Sequence, residues 1–287
     1  MADATLSDTP LAVTDRLFFA REGASLDQDS ATRLTRSALA ASDDGELFLE
    51  YQESETISLD DGHIRSAGFD TTLGFGLRAV AGEATGYAHS GELSEAALKR
   101  AAATVGSVAA GHAGTDAESP RSTNNRLYSD ANPLTGMGFA KRTSLLGEID
   151  AYARGRDSRV KQVMASVAGS WQAVQIIRAD GRRVADLRPL VRLNVSVVVE
   201  QDGRRETGSF GCGGRFSYDR ILGESQWRGA VDEASATARE ARALPGSGPP
   251  LSPQEFQEAA GGMIGGVGID QGTEKVVAAQ APGKAMP

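Results

Sequence analysis

The sequence predicts an α/β protein of the α+β kind: two αβ halves, each holding an antiparallel β-meander, joined in one mixed sheet flanked by amphipathic helices. Three observations predict it. Leu187, Val191, Leu193, Val195, Val197 and Val199 are apolar at odd positions, while Arg188, Arg192, Asn194, Ser196 and Glu200 hold even ones. That period of two belongs to a strand with one buried face. Asp180-Gly181 and Asp202-Gly203 bracket this strand, and such pairs favour tight hairpin turns because both residues tolerate positive φ. Ala97, Leu98, Ala101, Ala102, Val105, Val108 and Ala109 recur at helical spacing behind Ser94, the pattern of a capped helix with one apolar stripe.

In chain order, residues 1–25 are polar and are expected to form an N-terminal arm. Ala31, Leu34, Ala38 and Leu39 then follow at helical spacing, behind a polar cluster from Asp27 to Ser30 that can supply an N-cap. Strand-like segments follow at 47–51, 56–59, 64–69, 73–80 and 85–89, with turn residues at Asp61-Gly62 and Gly82-Glu83. After the helix behind Ser94, the Ser, Thr, Asn, Gly and Pro content of 111–135 predicts a long connector. A helix through Phe139, Leu145, Leu146, Ile149 and Tyr152 leads to a strand at 160–167, and then to the meander around 187–199. Gly208 to Arg215 reads as a glycine-rich, arginine-bearing loop. A final helix carries Trp227, Val231, Ala234, Ala238 and Ala241 on one side and stops before Pro245. The expected domain is therefore 26–244, with 245–287 as a Gly- and Pro-rich, mobile extension.

Composition narrows the function. A chain of 287 residues with a formal charge of -8 lacks the clustered Lys and Arg that drive nucleic-acid or anionic-membrane binding. Its single cysteine, Cys212, excludes an internal disulfide and fits a reducing compartment. The acidic start has no signal-peptide pattern, and no apolar run approaches a membrane span. A cytoplasmic location is the expectation.

Signals for chemistry are sparse. His63, His89 and His112 stand far apart with no second ligand at helical spacing, whereas zinc needs three or four converging donors. No Gly-x-Ser-x-Gly elbow is present. Gly74-Phe75-Gly76-Leu77-Arg78-Ala79 spells a dinucleotide fingerprint but falls inside a strand pattern, where glycine marks a bulge or the close approach of another backbone. The run Gly208 to Arg215 could nest an anion or accept a peptide strand, and could equally be a tight crossover.

Asp186-Leu187-Arg188-Pro189-Leu190-Val191-Arg192-Leu193, Glu200-Gln201-Asp202-Gly203-Arg204-Arg205-Glu206 and Gly211-Cys212-Gly213-Gly214-Arg215, with Gly74 to Val80 and Gly86-Tyr87-Ala88 before them, resemble the N-terminal domain of the TldD branch of the TldD/PmbA zinc metalloprotease family. The resemblance covers roughly 31–244, and Cys212 stands where another glycine is expected. It implies a subunit that pairs with a PmbA-like (TldE) homologue and degrades unfolded peptides. Zinc in that family is held by a His-Glu-x-x-x-His helix in a C-terminal domain. No such segment occurs in this sequence. The expectation is thus the front part of such a protease, through truncation, frameshift or fragmentation, without catalytic or metal residues and inactive alone. It would shape the substrate entrance and the partner contact; the alternative is a non-catalytic peptide-binding or assembly module. Arg188, Arg192, Gly211, Gly213, Gly214 and Arg215 are the candidate substrate or partner contacts, with ordinary ion-pair roles as the rival assignment for the arginines.

Overall fold

The computed structural model describes residues 9–109 and 127–243. Elements in order are α1 (Pro10–Phe19), α2 (Gln28–Ala38), β1 (Asp44–Asp60), β2 (His63–Ala81), β3 (Ala84–Ser90), α3 (Glu95–Ala109), the single turn α4 (Pro133–Gly136), α5 (Phe139–Arg156), β4 (Val160–Arg178), β5 (Arg183–Gln201), β6 (Arg204–Gly214), a 3-10 turn at Tyr218–Arg220, and α6 (Glu224–Ala243). One unit, helix-strand-strand-strand-helix, therefore occurs twice: α2 to α3, and α5 to α6. The strand order β3-β2-β1-β4-β5-β6 sets the two meanders back to back, joined where β1 runs against β4 from Glu46↔Arg178 to Asp60↔Met164. Two αβ halves around one sheet, as expected, is the architecture found.

The sheet is not mixed, however. Every pairing within it is antiparallel, because tight hairpins make all connections within each half and the helical crossover between halves returns the chain reversed. The five short segments expected at 47–51, 56–59, 64–69, 73–80 and 85–89 merge into three strands, two of them long. Polar residues such as Gln52 and Ser54 broke the apolar pattern without breaking the ladder. Hairpin turns stand where Asp-Gly pairs predict them: Asp61 (φ 50°) with Gly62 (φ 80°), and Asp202 (φ 55°) with Gly203 (φ 75°).

All the larger helices cover one face. On β1, β4 and β5 the odd positions point to them. Ile57, Leu59, Val163, Ala165, Val167, Val191, Leu193, Val195 and Val197 pack against α5 and α6 through Leu146, Ile149, Trp227, Val231 and Ala234. Leu47, Leu49, Phe75, Leu77 and Ile177 pack against Phe18, Ala31, Leu34, Leu98 and Val105 of α1, α2 and α3. Helix starts are as expected. The Asp27 carboxylate accepts from the Ser30 amide at 2.8 Å and the Ser94 hydroxyl from Ala97 at 3.1 Å, satisfying amides that have no partner within their own helix.

Two sequence expectations change. Residues 10–19, assigned to a polar arm, form α1: Thr9 caps it, Pro10 opens it, and Phe18 is fully buried. Thr14 and Asp15 accept from Gln175 at 3.0 and 2.8 Å, and Arg183 reaches Asp15 at 2.5 Å, which pins α1 to β4 and β5. Gly208 to Gly214, expected as a loop, completes β6 in register with β5, so the run is an extended strand at the sheet's edge rather than a loop curled around an anion. Val108 and Ala109 side chains, the connector at 110–126, His112 and the extension from 244 onward lie outside what the structure describes.

Candidate contact surface and buried polar seam

Even positions of β5 face the helix-free side, and the arginines singled out in the sequence stand there. Arg188 donates to Asp186 at 2.7 Å and to Gln172 at 3.4 Å. Tyr128, from the segment before α4, donates its hydroxyl to the same Asp186 carboxylate at 2.9 Å, and the Arg215 guanidinium sits 5.3 Å from the Tyr128 ring centre. Burial first, and then the bond to Asp186, raise the Tyr128 phenol above its ordinary value, while Arg215 and Arg188 oppose the rise. Arg188 and Arg215, twenty-seven positions apart in sequence, thus share one charged network at the β5 margin.

Arg192 is separate, further along the same strand. It donates to Asn194 at 2.7 Å, which in turn donates to Ser166 at 3.3 Å. Gly213 pairs with Arg192, and Gly211 with Asn194. A Cβ at Gly211 would stand 2.7 Å from the Asn194 side-chain oxygen and 3.0 Å from an Arg192 nitrogen. The glycine therefore makes room for that side chain to lie across β6. Gly214 does not join this surface: it faces the helix side, where a Cβ would meet the Phe216 ring at 2.3 Å. Cys212 also faces inward and packs against the larger core. Burial pushes its thiol up, with Arg192 acting in the opposite direction, the reverse of what a nucleophile needs.

The fingerprint at Gly74 is structural. Gly74 and Gly76 lie within β2, and a Cβ would strike the Ser90 carbonyl at 2.8 Å or the Tyr87 hydroxyl at 2.7 Å.

The most unusual chemistry was not singled out in the sequence. Along the buried face of β1, Leu47 and Leu49 give way to Tyr51, Glu53 and Glu55 before Ile57 and Leu59 resume. These polar side chains fill the seam between the two apolar clusters. Glu55 and Arg142 form an ion pair at 2.7 Å, with side chains 9% and 4% exposed. Arg142 also donates to the Met137 carbonyl and stands 5.3 Å from the Tyr218 ring centre. Within this trio Glu55 Oε1, Arg142 Nε and the Tyr218 hydroxyl have no hydrogen-bond partner among the described residues. Gly169 lies directly beneath that hydroxyl, 2.3 Å from where a Cβ would be. Desolvation, reinforced by the Glu55 charge, holds the Tyr218 phenol far above its usual range. Glu53 accepts from Tyr51 at 2.8 Å and from Asn132 at 2.7 Å, and burial with this bond pushes Tyr51 up to about 12. Trp171 stacks edge-on against Tyr51 and donates to the Asp130 carbonyl at 3.2 Å. The signal for the seam was present in the alternation itself: carboxylates at odd positions of a strand whose other odd positions are apolar need buried partners.

Among the described residues no three of His, Cys, Asp and Glu gather as metal donors. They do not fit a zinc site. No helix among them is long and apolar enough to cross a membrane.

The described residues thus form a one-faced α/β sheet of two repeated halves, with arginines and glycines on its last two strands and a carboxylate seam at its centre. Residues 45–109 match the model described as PmbA/TldA metallopeptidase domain 1, and 132–243 match the PmbA/TldA metallopeptidase central domain. The chain belongs to the PmbA/TldD metallopeptidase family. It is 39% identical over 181 residues to a metalloprotease TldD homolog of Haemophilus influenzae, covering 62% of this chain and 37% of that one. It is 32% identical over 199 residues to a TldD homolog of Buchnera aphidicola from Acyrthosiphon pisum, covering 69% and 41%. The chain thus spans about two fifths of the length of these relatives. The fold is shared with the crystal structure of TldE from Thermococcus kodakarensis, with a TM-score of 0.60 at 14% identity, over 73% of this chain and 47% of that one.

Proposed function

We propose that this chain supplies the N-terminal α/β portion of a TldD-type zinc metalloprotease, joining a PmbA/TldE-like subunit and shaping the entrance through which unfolded peptides reach a catalytic centre that this chain does not itself carry. One observation carries the proposal: the two family matches coincide with the two halves of a single sheet, and the described residues of that sheet assemble no donor set for a metal. Arg188, Arg215 and Arg192, with Gly211 and Gly213, are the contact residues, because they line the helix-free side of β5 and β6. Gly214 is proposed to act only by letting β6 pass Phe216. The location proposed is cytoplasmic.

The test is co-expression with the PmbA/TldE-like protein of the same cell, followed by co-purification, zinc analysis and cleavage of an unfolded protein substrate. The expected result is a stable complex that Arg188→Ala/Arg215→Ala weakens, and no hydrolysis by this chain alone. One tightly held zinc per isolated chain with peptide cleavage would overturn the reading, as would failure to associate. Association with the partner in the absence of any effect on proteolysis would favour the assembly-module alternative.

A further inference from the structure

The sheet's repeat leaves two half-strands unpaired on their outer sides at opposite corners. β6 covers β5 only from Val191 onward, and β3 covers β2 only from Phe75 onward. The first corner is closed by the chain itself. Tyr128 and Asp130 reach β5 and β4 through Asp186 and Trp171, and Arg183 is tied to Asp15 of α1. The second corner is open. Residues 63–72 of β2 are exposed throughout, with Ile64 43% and Phe69 60% exposed, and no strand or helix among the described residues lies along their outer edge. Proteins ordinarily guard such an edge with proline, inward charge or a covering element. Among the described residues this one has the register shift opposite Ser58 and Leu59 and the charges of Arg65 and Asp70.

We infer that the β2 edge around Gly68 pairs antiparallel with the same edge of a second copy of this chain, making one continuous sheet across a two-fold axis at Gly68. A two-fold axis normal to a sheet keeps each side chain on its own face, so partners must share a face. Centring on Gly68 sets Phe69 of each copy opposite Ala67 of the other, a large side chain against a small one. The same register sets Asp70 opposite Ser66 and beside Arg65 of the second copy. Arg65 is the extra residue of the register shift, which turns it to the face of Ser66. It is 74% exposed and reaches Asp60 on that face at 2.8 Å. The edge therefore carries its complementary charges on one face and its apolar residues on the other. Ser66 and Ser58 share a hydrogen bond at 2.6 Å, which holds the inner side of the edge in register. The inference does not depend on the proposed protease role, because β1 and β4 stand between this edge and the arginines of β5 and β6.

Sedimentation of the purified full chain over a micromolar concentration series tests it. The expected result is a reversible monomer–dimer equilibrium. Gly68 has open space around the place of a Cβ and no positive φ, so Gly68→Lys leaves the monomer folded while placing two like charges opposite one another at the axis. It should raise the dissociation constant roughly twofold to fivefold. Asp70→Arg should weaken the dimer similarly, and Arg65→Asp/Asp70→Arg should restore it. A chain that stays monomeric throughout the series would overturn the inference. So would a dimer indifferent to Gly68→Lys, or a charge swap without recovery. Protection of the β2 edge amides from exchange only when an unfolded peptide is added would assign the edge to peptide instead, and the inference would fall.

Discussion

Replacing Arg142 by Met isolates the energetics of the polar seam. Arg142 and Glu55 are almost wholly removed from water, at 4% and 9% side-chain exposure. The guanidinium also holds the Met137 carbonyl and thereby the link from α4 to α5. Arg142→Met leaves the Glu55 carboxylate buried with neither oxygen partnered, since Oε1 has no partner to begin with. Removing one member of a buried pair costs about 3–5 kcal/mol, most of it the penalty of the stranded charge. For a domain of this size that lowers Tm by about 6–20 °C, at about 2–4 °C per kcal/mol. Glu55→Gln should cost a comparable amount, because it strands the guanidinium. Glu55→Gln/Arg142→Met should recover much of the loss, since neither charge of the pair then remains buried, and the cycle should show about 2 kcal/mol or more of coupling. Urea unfolding followed by the fluorescence of Trp171 and Trp227, both buried, reads all four proteins. An Arg142→Met protein within about 1 kcal/mol of the parent, or additive single costs, would refute a desolvated ion pair at this position.

Gly208 is the tightest helix–sheet contact: a Cβ there would stand 2.0 Å from the Ala234 carbonyl oxygen and 2.3 Å from the Ala238 amide nitrogen. Gly208→Ala should cost about 1–3 kcal/mol or more in thermal unfolding as α6 is driven off β6. Gly229→Ala, in open space within the same helix, should instead gain about 0.5–1 kcal/mol. Asp157, held to about 2 chiefly by its bond to Arg159, binds its proton in the unfolded chain before the folded one. Stability should therefore fall as pH drops from about 4 to about 2, by on the order of 1 kcal/mol after screening at the exposed Arg159, and Asp157→Asn should flatten that part of the curve. Cys212 should react with a disulfide reagent far more slowly in the native state than in urea at about pH 8, with the native rate climbing only in more alkaline solution.

Much of the fold could be read from the residues. Alternation at 187–199, the turn pairs at Asp61 and Asp202, and the stripes of α2, α3, α5 and α6 all carried local physics that the structure respects. What escaped was set by long-range packing. α1 has a short, mixed sequence whose helix is secured by Gln175 and Arg183 from strands 160 or more positions away. The glycines after Gly208 carry little intrinsic strand preference, and β6 forms because β5 offers a ladder and α6 requires a surface without side chains. Of the candidate contacts, Arg188 and Arg215 converge only through Tyr128, which nothing near either arginine in sequence could have indicated.

The join between β1 and β4 has a consequence for synthesis. Its nearest partners, Asp60 and Met164, are 104 residues apart (164 less 60), whereas each meander closes over neighbours only a few residues away. At about 5–20 residues per second, a ribosome needs roughly 5–20 s to deliver the second strand after the first. During that interval the nascent first half displays a long, unmatched flank to its surroundings, so a holdase should bind stalled chains ending before Val160 and release those that extend past Arg178.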